Sequence, residues 1–166
     1  MSIDFKYFPD VFAEIVASAR ARYDLDNVLP YFEYGTYFEL LEACQLKDNN
    51  QLAKYPLVWL VWDASENKET WTEEYIYTIS PRVFIATLTS LDQTTADRYT
   101  NTMKAVLYPI FALLTYEIDY HENIGSKDYK TSVNDHPFWL NNDDGSFDVL
   151  SAIELKFENL LLIKTI

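Results

Sequence analysis

Between residues 95 and 120 the apolar side chains recur every three or four positions, at Tyr99, Met103, Val106, Leu107, Ile110, Phe111, Leu114 and Ile118. At Ile153, Leu155 and Phe157 they instead alternate with Glu154, Lys156 and Glu158. The first spacing is the stripe of an amphipathic helix; the second is the pleat of a strand with one wet face. A chain carrying both periods has to pack helices on a sheet. Pro109 falls inside the helical stripe, where it removes a backbone donor and crowds the carbonyl of Ala105, so a kink or two abutting helices is expected. Thr94 or Thr95 is available as the N-cap.

The rest of the chain sorts by the same two periods. Pro9 opens a first helix with Val11, Phe12, Ile15, Val16 and Ala19 on one side and Arg20 and Arg22 at its carboxyl end. The segment DLDNVLPYFEYG, broken by Pro30 and Gly35, reads as a tether. Thr36 and Glu39 have capping-box spacing, which predicts a short second helix over 37–46 with Leu40, Leu41 and Cys44 inward. Leu57 to Trp62 is a continuous apolar run of strand formers and reads as a central strand. DASENKET, residues 63–70, is a polar excursion. EEYIYTI and RVFIATLTS read as two strands separated at Ser80-Pro81, because Pro81 cannot donate to a sheet ladder.

Residues 121–134 read as a polar loop. Asn141-Asn142-Asp143-Asp144-Gly145 marks a turn before the alternating strand, and NLLLIKTI continues as a strand to the chain end. The expected fold is a single domain over 1–166, of α+β class, with a mainly antiparallel sheet and helices packed on one face. Its expected core includes Phe12, Ile15, Leu57, Leu60, Ile85, Val106, Leu107, Phe111, Leu155 and Phe157.

Composition narrows the functional classes. Thirteen basic residues against 26 acidic ones leave a net charge of −13, which disfavours gripping a DNA duplex or an anionic bilayer. No apolar run approaches the length of a membrane span, and the amino terminus has no signal-peptide pattern. Cys44 is the only cysteine, so no intrachain disulfide forms, and it reads as a small core residue rather than a nucleophile. The three glycines, 35, 125 and 145, are too few and too scattered for a dinucleotide fingerprint or a phosphate loop. Neither a G-x-S-x-G elbow nor an H-E-x-x-H zinc motif is present.

Asp119, His121, Glu122 and His136 are the nearest approach to a metal constellation. Asp119 and His121, two apart on a helix, diverge, so a helix end and loop is the preferred reading. The Asn-Asn-Asp-Asp-Gly run lacks EF-hand spacing. Glu73 and Glu74 alternate sides of a strand and have no pocket to raise a pKa. The chain therefore reads as non-enzymatic, with no catalytic, cofactor or metal residues. Its 13 Tyr and 4 Trp, each an apolar body with a polar handle, suit surfaces that are wet alone and dry on association, while the core is the commoner place for any one aromatic ring.

Several pieces together resemble a known family. They are the amino-terminal helix, KYPLVWLV at 54–61, VFIATLTS at 83–90, Asp92-x-Thr94-x-x-x-Arg98, the helix core Val106-Leu107-Tyr108-Pro109-Ile110-Phe111 and the closing AIELKFENLLLIKTI. In that order they resemble the small neck and tail-completion proteins of tailed bacteriophages, tail terminators and head–tail joining proteins, in particular those of Bacteroides and crAss-like phages. The resemblance implies a tail-terminator-like fold and a virion subunit in the neck or tail, synthesised in the host cytoplasm. It further implies a homo-oligomeric ring of six or twelve copies, with portal, neck or tail proteins as neighbours and DNA passing nearby without specific binding. An acidic channel wall is compatible with that, since it lets phosphate slide.

Two segments are candidates for the interfaces such a ring needs: the excursion with Asp63, Glu66, Lys68 and Trp71, and the terminal segment with Leu160, Leu162 and Ile166. Each has an alternative reading, a solvated loop for the first and the last strand of the chain's own sheet for the second. A small acidic intracellular protein-binding module of immunity or inhibitor type is the alternative function.

Overall fold

In the computed structural model, which describes residues 8–22, 30–49, 54–61, 67–71, 74–125, 128–141, 145–158 and 160–165, the apolar stripe of the first helix decides where the sheet is covered. Helix α1, Phe8–Arg22, buries Phe8, Val11, Phe12, Ile15, Val16 and Ala19. It lies against α4, Tyr108–Tyr120, which buries Ile110, Leu114 and Ile118 at successive turns. Arg22, near the carboxyl end of α1, pairs with Glu117 and stands over the Tyr116 ring at 5.1 Å, tying the two helices at one end.

Beneath them is a five-stranded sheet in the order β1-β2-β5-β7-β6, made of β1 Tyr31–Gly35, β2 Leu57–Val61, β5 Arg82–Leu88, β7 Phe147–Phe157 and β6 Tyr129–Asn141. All neighbours are antiparallel except β1 and β2, which are parallel and joined through α2, Tyr37–Asn49. The α+β class and the mainly antiparallel sheet are those expected. Strand register aligns Val58, Ile85 and Ile153 in one row and Leu60, Val83 and Leu155 in the next, and these rows form the core under α1 and α4.

The alternate residues Leu57, Trp59, Ala86, Leu150 and Ala152 face the other way, onto Leu40 and Cys44 of α2. The long helices thus share one face, while short α2 covers part of the opposite one. A strand with both faces covered has to be apolar at every position, which is why β2 reads as the unbroken run LVWLV.

The long helix over residues 95–120 is continuous but changes type. Thr94 caps α3, Thr95–Arg98, by accepting from the Asp97 N–H at 3.2 Å, while the Asp97 carboxylate accepts the Thr94 N–H at 3.4 Å. Tyr99–Leu107 is then π-helical, ending with the Tyr108 N–H bonded to the Met103 carbonyl, and α4 follows with Pro109 in its first turn. A proline needs no donor in that turn, whereas an α-helical bond from residue 109 to Ala105 could not form. The interruption expected at Pro109 is therefore a switch of hydrogen-bond register. Along this helix Leu107, Ile110, Leu114 and Ile118 reach the core; Val106 and Phe111 sit at its rim, and Tyr99 is exposed.

Three strands lie where the sequence shows none. β1 occupies the expected tether, β6 begins at Tyr129 inside the expected polar loop, and β3, Asn67–Trp71, occupies the end of the polar excursion. Each is an edge strand, held by backbone pairing on one side and wet on the other, so burial imposes little pattern on it.

The start of α2 depends on a reciprocal cap. The Thr36 N–H donates to Glu39 Oε2 at 2.5 Å and the Glu39 N–H to Thr36 Oγ1 at 3.4 Å. Gly35 precedes it at φ +144°, and a Cβ there would lie 2.5 Å from that same Glu39 oxygen. The Thr36 backbone bond holds the Glu39 carboxyl below its ordinary value of 4.5. A carboxylate depressed on folding contributes stability that is present above its unfolded pKa and is lost as pH falls through the folded one. Titration below about pH 4.5 should therefore weaken the cap, and Glu39→Gln should flatten that limb of the stability–pH curve, measured by urea unfolding at stepped pH. An unchanged limb would remove the cap from the account.

Candidate assembly surface

β4, Glu74–Ile79, and β8, Leu160–Thr165, complete a second sheet, a three-stranded antiparallel ribbon in the order β3-β4-β8. It arises from the main sheet at Ser80-Pro81. Pro81 offers no N–H, so β4 ends at Ile79 and β5 resumes at Arg82, while β7 and β8 break opposite, at Glu158. Two bonds bridge the break: Ser80 Oγ donates to the Glu158 carbonyl at 2.6 Å, and the Phe157 N–H to the Pro81 carbonyl at 3.0 Å. At the ribbon's base Ile79 pairs with Leu160, and both are buried in the main core.

The ribbon unites the two segments singled out in the sequence. Register places Lys68, Tyr77 and Leu162 in one row, and Trp71, Glu74 and Thr165 in another, so the excursion and the chain end flank β4 as the ribbon's two edges. Among the interface candidates, Leu160 is corrected: it is 0% exposed and belongs to the chain's own core, because it closes the ribbon's base against Ile79. Lys68, Trp71 and Leu162 stand on the ribbon. Asp63, Glu66 and Ile166 lie outside the described residues.

Pleat alternation assigns successive rows to opposite faces. Rows therefore alternate along β4 from Glu74 to Ile79. Among the described residues, no further helix or strand packs substantially on β3, β4 or β8.

Of the main sheet's two edges, β6 is guarded. β6 breaks register between Asn134 and Phe138, a stretch that holds His136 and Pro137, and a bulge or a proline discourages strand addition. β3 carries Lys68 and Glu69 in five residues. β8 has neither proline nor glycine, and Lys164 is its single charge.

Elsewhere, the polar groups serve the fold. Arg82, Lys156 and Lys130 form a row across β5, β7 and β6. Glu154 lies 3.8 Å from Arg82, and Glu158 pairs with Lys130, whose hydrogen bond and charge hold the Glu158 carboxyl below its ordinary value. His121 Nε2 is 3.5 Å from Glu14, and its Nδ1 accepts the Asn123 N–H at 3.3 Å. Burial, with the Asp119 charge second, raises the Tyr129 hydroxyl.

Among the described residues, no three His, Cys, Asp or Glu side chains converge as metal ligands, and no helix is long and apolar enough to cross a membrane. A cleft of about 390 Å³ beside the π-helical segment is lined by Thr95, Ala96, Arg98, Tyr99, Met103 and Ser151. Its one cation, Arg98, donates to the Gln93 carbonyl at 2.6 Å. No protein-family model matches the chain, and no curated protein matches it.

Proposed function

We propose that the chain is a non-enzymatic structural subunit that assembles into a ring in the neck or tail of a tailed phage, joining head to tail and lining or capping the DNA channel. The observation that carries this reading is the β3-β4-β8 ribbon, whose pairing joins the polar excursion and the chain end through β4 and whose base, at Ile79 and Leu160, is buried in the core. Three strands gain independent stability by burying a hydrophobic face, and strands as apolar in sequence as EYIYTI and LLLIKT gain most when another molecule covers them. Head-to-tail closure requires two different surfaces on each copy, and the ribbon supplies two faces and two edges. The charge of −13 fits a ring through which DNA passes without being held. The family is that resembled by the sequence pieces, with neighbouring portal, neck or tail proteins as further partners.

Deleting residues 162–166 tests this reading while sparing Leu160 in the core. The shortened chain should keep its far-ultraviolet dichroism and cooperative unfolding but elute as a monomer where the full chain forms a ring. Assembly at full size without those residues would contradict the ribbon's role.

A further inference from the structure

Three irregularities of sequence and backbone meet beside the first half of the long helix. On β5 and β7 the face under the helices is lined by the opposed pairs Val83/Leu155 and Ile85/Ile153, and the next pair on that face is Thr87/Ser151. Both hydroxyl residues are withdrawn from water, Thr87 at 8% and Ser151 at 2% exposure, where the pattern of the face calls for aliphatic side chains. β6 breaks register at the same level, between Asn134 opposite Ala152 and Phe138 opposite Leu150, which sets its irregularity beside Ser151. The helix packed on these strands is π-helical for nine residues, Tyr99–Leu107. Pro109 fixes where that segment ends, but it removes only one α-helical bond and leaves most of the segment's length unexplained. Bulges and π-helical turns both concentrate beside functional sites, where they re-aim side chains that a regular backbone would send elsewhere.

The cleft of about 390 Å³ opens at this junction. Its volume lies toward the lower end of the range for small-molecule sites, roughly 300–1,000 Å³. Ser151 comes from the sheet, Tyr99 and Met103 from the π-helical segment, and Thr95, Ala96 and Arg98 from the turn before it. Met103 is buried, while Tyr99 is 52% exposed, its ring edge-on to Tyr108 at 6.3 Å. The lining is thus mostly apolar, with one cation.

That cation is held in place. The bond from Arg98 Nη1 to the Gln93 carbonyl fixes one arm of the guanidinium, and the Gln93 side chain is anchored in turn, its Oε1 accepting from Thr89 Oγ1 at 3.2 Å. The remaining N–H groups keep the planar geometry that matches a carboxylate. Among the described residues no carboxylate pairs with Arg98, and the adjacent Asp97 is engaged by the Thr94 cap. In a chain of 26 acidic and 13 basic residues, such a cation is complementary to an anion from outside.

We propose that the cleft binds a small organic carboxylate with an apolar body, the carboxylate on the Arg98 guanidinium, the body against Tyr99 and Met103, and the Ser151 hydroxyl a further donor. The site lies on the main sheet, apart from the β3-β4-β8 ribbon, and its occupancy is independent of assembly.

The chain has two methionines, Met1 and Met103, so isotope labelling of the methionine methyl groups in the full-length chain places one NMR probe in the cleft. Met103→Leu assigns its signal. Phenylacetate should shift the Met103 methyl saturably and leave Met1 in place. Benzyl alcohol, of like size without the charge, and inorganic phosphate, charged without the apolar body, should each bind at least tenfold or so more weakly. Arg98→Gln should weaken phenylacetate by about tenfold with far-ultraviolet dichroism and melting temperature unchanged. Tyr99→Ala, at a half-exposed position, should weaken it as well. No saturable Met103 shift with phenylacetate would overturn the site. Equal binding of benzyl alcohol, or of phenylacetate by both variants, would overturn the assigned contacts, and an equal response to phosphate would overturn the apolar body.

Discussion

Asp148→Ala is expected to destabilise the chain by up to about 3–5 kcal/mol, because it removes a carboxylate held against the buried Lys54 ammonium. Lys54 lies shortly before β2 with its side chain 8% exposed, and its Nζ lies 2.8 Å from Asp148 Oδ2 at the start of β7. The Tyr55 hydroxyl donates to the same oxygen at 2.6 Å, and the Lys54 ammonium also stands 5.4 Å from the Tyr55 ring. Removing the carboxylate takes this charge partner from the ammonium and this acceptor from the hydroxyl, at a site where the Lys54 side chain is almost wholly out of water. Replacing both charged residues, as Lys54→Met with Asp148→Ala, should cost less than Asp148→Ala alone, since it removes the desolvated charge together with its partner. Urea midpoints measure both. A loss below about 1 kcal/mol for the single variant would mean that Lys54 reaches solvent.

Phe157→Ala is the second large effect, at about 3–5 kcal/mol. Phe157 is fully buried where β7 ends and the ribbon begins. Its ring meets Phe12 of α1 edge-on at a centroid distance of 6.0 Å and Tyr129 of β6 at 5.4 Å. It therefore joins the helix layer, the sheet edge and the ribbon's root, and its loss leaves a cavity bounded by three elements that cannot all collapse inward. Phe111, only partly buried at the core's rim, supplies the comparison: Phe111→Ala should lower the urea midpoint by clearly less. Equal losses at the two positions would shift the centre of the core toward α4.

What the sequence makes legible follows burial. α1, α4, β2, β5 and β7 are covered on at least one face by other elements, so their apolar residues have to recur at the period of their own backbone, and the expected positions from Phe12 to Phe157 largely reach the core. β1, β3 and β6 are sheet edges, whose pairing is made by backbone groups that every residue carries, and such pairing leaves no compositional trace. NKETW and YKTSVN accordingly read as loops. The π-helical segment is illegible for the same reason, although Pro109 marks where it must end. Thr36 and Glu39 were readable because a cap needs particular side chains at a fixed spacing.

The candidate surface was legible in pieces only. The polar excursion and the apolar chain end each stood out, but their union on one ribbon depends on β4 pairing with both.

The mass of the full-length chain in solution, followed by multi-angle light scattering over a wide concentration range, tests the central claim most directly. The account predicts a discrete species of six or twelve times the mass of one chain, persisting on dilution and lost on deletion of residues 162–166. A single-chain mass at every concentration would contradict it.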